Sequence, residues 1–257
     1  MGVSWIPFAF PGLPGVRCAF QTRRSPGALE VTSAKSVEEN ALDHGNISFE
    51  VGDDSQRVGA NREALRAALG FEVWQELKQV HGPAMVFDPA DHDIAAPGRV
   101  EADGLATARR GQCLVIKSAD CQPLLLAHRS GQFIAALHVG WRGNRIGFPA
   151  TGVAAFCAQY SLDPAEILAV RGPSLGPAAS EFLNFSSEWG EEFLPYYAPE
   201  TRTVNLWRLT DDQLASAGLR VENIFNLDLC TYELPELFFS YRRDKHCGRQ
   251  ASLIWMD

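Results

Sequence analysis

Three side chains in the 257-residue sequence are of the types that hold a borderline-soft metal ion: His81, Cys121 and His138. Each stands where an apolar run meets small and polar residues. Lys78-Gln79-Val80-His81-Gly82 precedes one expected strand. Ser118-Ala119-Asp120-Cys121-Gln122-Pro123 separates two, and His138-Val139-Gly140-Trp141-Arg142-Gly143 closes another. Strand ends can present side chains to a cleft while the backbone stays paired. Imidazole and thiolate suit zinc and also bind copper, and three protein ligands leave a position open for water or substrate. A zinc-bound water ionises near pH ~7. The spacing is no local zinc signature: Cys121 lies 40 positions after His81, and His138 lies 17 after Cys121. Buried, hydrogen-bonded His and Cys are the competing reading.

The remaining candidates are plainer. His44 and His92 sit in loops with acidic neighbours, and His128 and His246 adjoin basic residues, so exposed positions are expected for all four. Cys18, Cys113, Cys157, Cys230 and Cys247 form no C-x-x-C pair and read as buried free thiols. Gly172-Pro173-Ser174-Leu175-Gly176-Pro177 is either a tight structural turn or a wall of backbone amides facing an anion. It lacks the lysine of a Walker loop, so no nucleoside triphosphate site is expected there. Arg242, Arg243 and Arg249 read as surface or ion-paired arginines.

The elements that must position these residues mix strands and helices without strict alternation. Strands are expected at Cys18 to Thr22, Ala84 to Phe87, Cys113 to Ile116, Leu124 to Ala127 and Phe133 to Leu137. Further strands are expected at Ile167 to Arg171, Asn223 to Leu227 and Ser252 to Met256. Arg129-Ser130-Gly131 makes a hairpin of two of them. Asp53-Asp54-Ser55 offers N-caps for a helix carrying Val58, Leu65 and Leu69 on one side, closed by Gly70. Helices are also expected over Pro149 to Tyr160, from Asp163-Pro164-Ala165-Glu166, over Glu181 to Leu194, and over Asp211 to Ala217 before Gly218. Phe238 to Asp244 and Gly248 to Ser252 read as a half-buried hairpin turning at Asp244 to Gly248. The pattern predicts an α+β fold, a single compact domain over residues 1–257 with mixed sheets flanked by helices.

Composition narrows the partners. Hydrophobic residues make up 46% and charged residues 21%, as in a globular protein with a sizeable core. The net charge is −8 and no long Lys/Arg run breaks it, so nucleic acid and anionic membrane are excluded as main partners. No apolar run approaches the ~18 residues that span a bilayer. The stretch Met1 to Pro7 has no basic segment before an apolar one, so no secretory signal is expected and the cytoplasm is the expected compartment.

Taken together, these segments resemble the laccase-domain family, whose members are variously named multicopper polyphenol oxidase-like proteins, peptidoglycan editing factors and purine nucleoside phosphorylases. The resemblance is carried by KQVHG (Lys78 to Gly82), EADGLAT (Glu101 to Thr107), the ADC of Ala119 to Cys121, HVGWRG (His138 to Gly143), GPSLGP (Gly172 to Pro177), FFSYRRD and GRQASLIW. VGDD (Val51 to Asp54) and Asn61-Arg62 match as well, so it runs from about residue 44 to the C-terminus. It implies a metal held by His81, Cys121 and His138. Two departures stand out. Ala178-Ala179 replace a pair of cysteines common after the second Gly-Pro, and Arg23-Arg24-Ser25-Pro26-Gly27 replaces an Arg-Gly-Gly turn.

The function so implied is a zinc-dependent purine nucleoside phosphorylase, with copper as the other metal. It would act on adenosine, inosine, guanosine and methylthioadenosine with phosphate, and would also deaminate adenosine. Asp120, Cys121 and Arg142 are the candidate catalytic residues, and Asn46, Arg62, Lys78, Gln79 and Arg249 the candidate substrate contacts. Arg62, Lys78 and Arg142 are the candidates for orienting phosphate by charge-assisted hydrogen bonds. Asp120 would serve as base or as hydrogen-bond partner of a ligating His. The alternatives are a hydrolase editing peptidoglycan precursors, a copper-dependent polyphenol oxidase, and a non-catalytic metal-binding protein. Six histidines with no H-x-H pair cannot supply a trinuclear copper cluster, which disfavours the oxidase.

Overall fold

The apolar runs at the centre of the sequence become two sheets stacked face to face, in a computed structural model that describes residues 3–23, 42 and 45–257. In chain order the strands are β1 (Ser4–Phe8), β2 (Val16–Thr22), β3 (Val73–Gln75), β4 (Met85–Phe87), β5 (Gly104–Thr107), β6 (Gln112–Ser118) and β7 (Gln122–His128). They continue with β8 (Ile134–Val139), β9 (Ile167–Arg171), β10 (Tyr197–Ala198), β11 (Thr203–Val204), β12 (Ile224–Asn226) and β13 (Gln250–Met256). The helices are α1 (Ser55–Leu69), α2 (Trp141–Arg145), α3 (Phe148–Tyr160), α4 (Phe185–Glu188) and α5 (Leu206–Ser216). One sheet has the order β1-β2-β13-β6-β3, the other β12-β9-β7-β8-β5-β4, and β10 pairs with β11 alone. Both large sheets are mixed, with β3–β6, β4–β5 and β12–β9 parallel. This is the α+β class the sequence predicts.

Period-two alternation sets the layers. On β6, Leu114 and Ile116 point between the sheets, joining Phe20 and Ile254 from their own sheet and Leu125, Ala136 and Val170 from the other. Cys113 and Val115 point the opposite way, onto Leu65 of α1 with Trp74, Leu253 and Trp255. On β7, Leu124 and Leu126 face outward onto Phe148, Val153 and Phe156 of α3 and Leu214 of α5. The result is helix, sheet, sheet, helix. Strands buried on both faces read as unbroken apolar runs, which is why β6 and β7 show no polar alternation.

Helix ends follow local chemistry. The Asp54 side chain accepts from the Arg57 N–H to start α1, and Gly70 closes it in the left-handed region. α5 begins at Leu206, earlier than the expected Asp211, because the Asn205 side chain caps it by accepting from the Arg208 N–H. No helix among the described residues is long and apolar enough to cross a membrane.

Three expectations are corrected. Asp163 caps as predicted, accepting from the Ala165 N–H, but only a single 3-10 turn (Pro164–Glu166) follows, because Ile167 enters the fully buried β9. Glu181 to Leu194 is not one helix. It breaks into α4, an extended Trp189-Gly190 step and a 3-10 segment (Glu191–Tyr196), since this path buries Phe182, Phe185, Trp189 and Phe193 together against Val204 and Leu209. Phe238 to Asp244 forms no strand: β13 spends one edge on β2 and the other on β6, so no edge is left for a hairpin partner. The Gln250 side chain ties that segment down instead, accepting from the Phe239 N–H at 2.9 Å. The turn at residues 24–27 and His44 lie outside the described residues.

Gly104 tests the packing of α3 on the second sheet. A Cβ there would lie 2.8 Å from Met85 Cγ and 2.9 Å from Leu137 Cδ2. Gly104→Ala should therefore lower stability by roughly 1–3 kcal/mol through overpacking. Urea unfolding should show a lower midpoint at constant slope. An unchanged midpoint would mean that α3 and β8 move apart freely.

Candidate metal centre and cleft

Cys121 is placed by the step from one sheet to the other. β6 ends at Ser118 in the first sheet and β7 begins at Gln122 in the second, so residues 119–121 make the crossing. The turn forces Asp120 to φ 97°, costly for a residue with a Cβ. Its own contacts hold it there. One carboxylate oxygen accepts from the Thr231 hydroxyl at 2.7 Å and the other from the Arg242 N–H at 2.6 Å. Its carbonyl accepts from the Leu175 N–H at 2.9 Å.

His138 sits near the end of β8, buried, with its N–H donating to the Asp103 carbonyl at 2.7 Å. Its Nδ1 lies 2.7 Å from Asp103 Oδ1, which leaves Nε2 for the centre. Asp103 Oδ2 accepts from the Val80 N–H at 3.1 Å and the Gly82 N–H at 2.7 Å. Those amides flank His81, itself at φ 61°. One carboxylate thus positions two of the three donors. His81 Nε2 lies 3.7 Å from Cys121 Sγ, and the two imidazole rings are 4.8 Å apart. The donor atoms of His81, Cys121 and His138 all fall within 4.8 Å of one another. Gly140 makes room for them: a Cβ there would be 2.9 Å from both Cys121 Sγ and His81 Cδ2.

The electrostatics favour a thiolate. Burial raises the Cys121 thiol, but the charge and hydrogen bond of His138, followed by those of His81, outweigh it and bring it down to about 6. Burial likewise opposes a charged His138, but Cys121 and Asp103 outweigh it and bring the imidazole up to about 9. The two titrate as a pair. The same arrangement suits a metal, since a ready thiolate and an imidazole oriented by a carboxylate are the donors zinc and copper take. With three protein donors a further coordination position stays open.

The centre opens on a cavity of about 680 Å³, ample for a small molecule. Lys78, Lys117, Arg142, Arg242, Lys245 and Arg249 line it, against the carboxylates of Glu50 and Asp120. Trp141, Phe182, Leu175, Leu206 and Tyr241 supply apolar and aromatic wall.

Of the residues singled out in the sequence, Lys78, Gln79, Asp120, Arg142 and Arg249 reach this cavity. Lys78 is ion-paired with Glu101 at 2.8 Å, and Arg142 stacks over the Trp141 ring at 4.4 Å. Gln79 has its amide engaged at both ends by the Lys117 backbone, so it fixes the His81 loop against β6. Asp120 spends its oxygens on Thr231 and Arg242, and the carboxylate that meets the ligating His138 is Asp103, which corrects the expected role of Asp120 as partner of a ligating His. Arg62 is also corrected. It is fully buried, paired with Glu76 at 2.8 Å and donating to the Ile47, Ile94 and Ala96 carbonyls, and no phosphate reaches it. Asn46 is buried off the cavity, accepting from the Arg249 N–H at 2.9 Å to hold that segment. The Gly172 to Pro177 segment offers no anion wall. Its amides at 172, 174, 175 and 176 donate to the Pro123, Leu229 and Asp120 carbonyls and to Cys230 Sγ. His92, His128 and His246 lie off the cavity.

Asp103 and Lys117 were missed in the sequence. Asp103 had a signal: a ligating His needs an acceptor for its second nitrogen, and the E-A-D-G segment opens a strand beside it. Lys117 had none, being one lysine at the end of an apolar run.

The chain is similar to known proteins in sequence and in fold. A family model described as "Multi-copper polyphenol oxidoreductase laccase" matches residues 28–257. The chain is 35% identical over 222 residues to a protein of Escherichia coli named purine nucleoside phosphorylase YfiH, covering 82% of this chain and 86% of that one. It is 34% identical over 264 residues to a purine nucleoside phosphorylase of Xylella fastidiosa, covering 98% and 97%. Among solved structures, YlmD from Geobacillus stearothermophilus superposes with a TM-score of 0.81 at 25% identity, covering 98% of this chain and 96% of that one. The Neisseria meningitidis protein NMB0706 gives 0.78 at 26% identity, covering 98% and 99%.

Two outcomes follow from the centre. In metal-free protein, alkylation of Cys121 by iodoacetamide should speed up as pH rises through about 6 and then level off. His138→Gln should move that midpoint upward; a wild-type midpoint in the ordinary thiol range would contradict the pairing. Asp103→Asn should weaken metal affinity by roughly 10–100-fold, because His138 and the His81 loop lose their common acceptor. Competition against a chromogenic chelator would measure it, and unchanged affinity would show that Asp103 orients neither.

Proposed function

The chain belongs to the multi-copper polyphenol oxidoreductase laccase family, and we propose that its activity is that of a metal-dependent purine nucleoside phosphorylase. The carrying observation is a cavity lined by six cations and two carboxylates, around a His/Cys/His donor group, in a chain of net charge −8. Such a field draws in an anion the size of phosphate and holds it by charge-assisted hydrogen bonds. Relatives named purine nucleoside phosphorylase support the same reading.

In phosphorolysis a phosphate oxygen bonds to C1′ of the nucleoside as the C1′–N9 bond breaks. The purine leaves with that electron pair and takes up a proton, giving free base and ribose 1-phosphate. Lys78, Arg142 and Arg249 remain candidates for orienting phosphate, now with Lys117 in place of Arg62. Trp141, Phe182 and Tyr241 offer apolar faces for a planar base. Zinc bound by His81, Cys121 and His138 would supply a Lewis acid and a water of lowered pKa. With that water as co-substrate, the same centre would also convert adenosine to inosine and ammonia. Adenosine, inosine, guanosine and methylthioadenosine are the substrates we propose, and copper is the alternative metal. The free cysteines suit a reducing cytoplasm, with the whole chain acting as one domain.

A second reading rests on the lowered Cys121 thiol. Paired with His138, its thiolate could open an amide, as editing of peptidoglycan precursors would require.

Zinc-loaded protein incubated with adenosine should release adenine only when phosphate is present, and Cys121→Ala should not. Chromatographic separation of products reads this directly, with inosine reporting deamination. Absence of both products from the wild type would reject the nucleoside reading and leave the amide hydrolase.

A further inference from the structure

We propose that Glu50 accepts a hydrogen bond from the ribose 2′-hydroxyl of the nucleoside, next to a phosphate held at Lys117; this rests on the phosphorolysis reading above. The argument begins with a lysine that has two unequal counter-ions. Lys117, on β6, is 4% exposed, and its Nζ lies 3.3 Å from Glu76 Oε1 and 2.9 Å from Glu50 Oε2. Glu76 is a fixed part of the core. It pairs with Arg62 at 2.8 Å and accepts from the Trp74 indole N–H at 3.0 Å and the Gly98 N–H at 2.7 Å. Glu50 is different. Its side chain is 42% exposed, it stands on a single 3-10 turn (Phe49–Val51), and it lines the cavity with Lys117 and the three metal-ligand candidates. An ammonium has three donors. Two of Lys117's are spent on the glutamates, and the third has no partner among the described residues.

Glu50 Oε2 takes both Lys117 and the Ser48 hydroxyl, at 2.9 and 3.0 Å. Among the described residues, Oε1 has no hydrogen-bond partner. The other carboxylate on the cavity wall, Asp120, has both oxygens committed. Glu50 Oε1 is thus a carboxylate oxygen on the cavity wall with no partner among the described residues, in a cavity otherwise rich in donors. It repels phosphate and calls for a neutral group that donates. Phosphorolysis brings such a group to this place. The phosphate oxygen bonds to C1′, and the adjacent carbon carries the 2′-hydroxyl. A carboxylate beside the phosphate-binding ammonium meets that hydroxyl, in the same chemistry by which carboxylates recognise ribose hydroxyls in dinucleotide sites. A site built around an acceptor for a hydroxyl rejects the analogue that lacks it.

The test compares adenosine with 2′-deoxyadenosine at saturating phosphate, in zinc-loaded wild type, Glu50→Ala and Glu50→Gln. The wild type should favour adenosine in kcat/KM by roughly 10-fold or more, as for a hydrogen bond to a charged acceptor. Glu50→Ala should bring the ratio close to one, with the loss falling on adenosine, and Glu50→Gln should fall between. Circular dichroism and zinc content check that the fold and centre persist in both variants, in which Lys117 keeps its contact with Glu76. A ratio unchanged by Glu50→Ala, or equal losses on both nucleosides, would overturn the assignment while leaving phosphorolysis intact. Equal losses would move Glu50 to a donor on the purine. A wild type that turns over neither nucleoside would overturn both readings.

Discussion

The Asp103 carboxylate is the point at which three distant stretches of chain are tied together. One oxygen meets the His138 ring and the other collects the two amides that flank His81, while the Asp103 carbonyl takes the His138 N–H. Burial works against a charge here, but the hydrogen bonds from His138 and from the backbone of the His81 loop outweigh it and hold the carboxyl below its ordinary range. An ionised Asp103 demands a proton on His138 Nδ1 and so fixes the face the ring turns to Cys121. The left-handed backbone at His81 and Asp120 costs energy that only such fixed surroundings can offset. Gly140 completes the arrangement by staying out of the space that the sulfur and the imidazole need.

Charge is distributed in the same disciplined way. The chain is acidic overall, yet cations outnumber carboxylates on its cleft wall, and apart from Glu50 the acids facing that wall are tied to fixed partners. Glu76 is locked between Arg62 and Lys117, and Asp120 between Thr231 and Arg242. Arg62 itself lies between the rings of Phe49 and Trp74, a flat cation between aromatic faces. Removing one member of this buried set would leave an uncompensated charge, a far larger penalty than losing a surface pair. The cleft thereby presents ammonium and guanidinium groups without opposing carboxylates beside most of them.

Much of this was legible in the sequence, because it depended on local rules. Apolar runs bounded by Gly, Pro or charge gave the central strands, and Asp54 and Gly70 marked the ends of α1. The three donors could be picked out as strand-end residues, and their convergence agrees with that reading. What was not legible depended on distant partners. Glu181 to Leu194 has helical composition, but the aromatic cluster that breaks it includes Val204 and Leu209, and no window contains both. The C-terminal aromatics alternate like a hairpin, yet the edge they would need is taken by β2 and β6. Arg62 looked like a phosphate ligand because a sequence shows an arginine's charge and not its partner. Asp120, next to Cys121, drew the role that belongs to Asp103, which lies 35 positions before His138 in sequence but meets it where β5 pairs with β8.

The position of β13 has a consequence for the order of events during synthesis. It lies between β2 and β6, so the first sheet has a gap at its centre until residues 250–256 are available. A ribosome releases the chain from its N-terminal end, and every other strand has left it by then. Until that point β6 has only the short β3 as neighbour within its sheet, and the Ser118 to Gln122 crossing that aims Cys121 has no firm base. Non-local closure of this kind is slow and leaves strand edges unpaired in the meantime. The β7–β8 pairing that carries His138 needs no part of β13, so the first-sheet side of the crossing at Cys121 is the part of the centre that waits for residues 250–256.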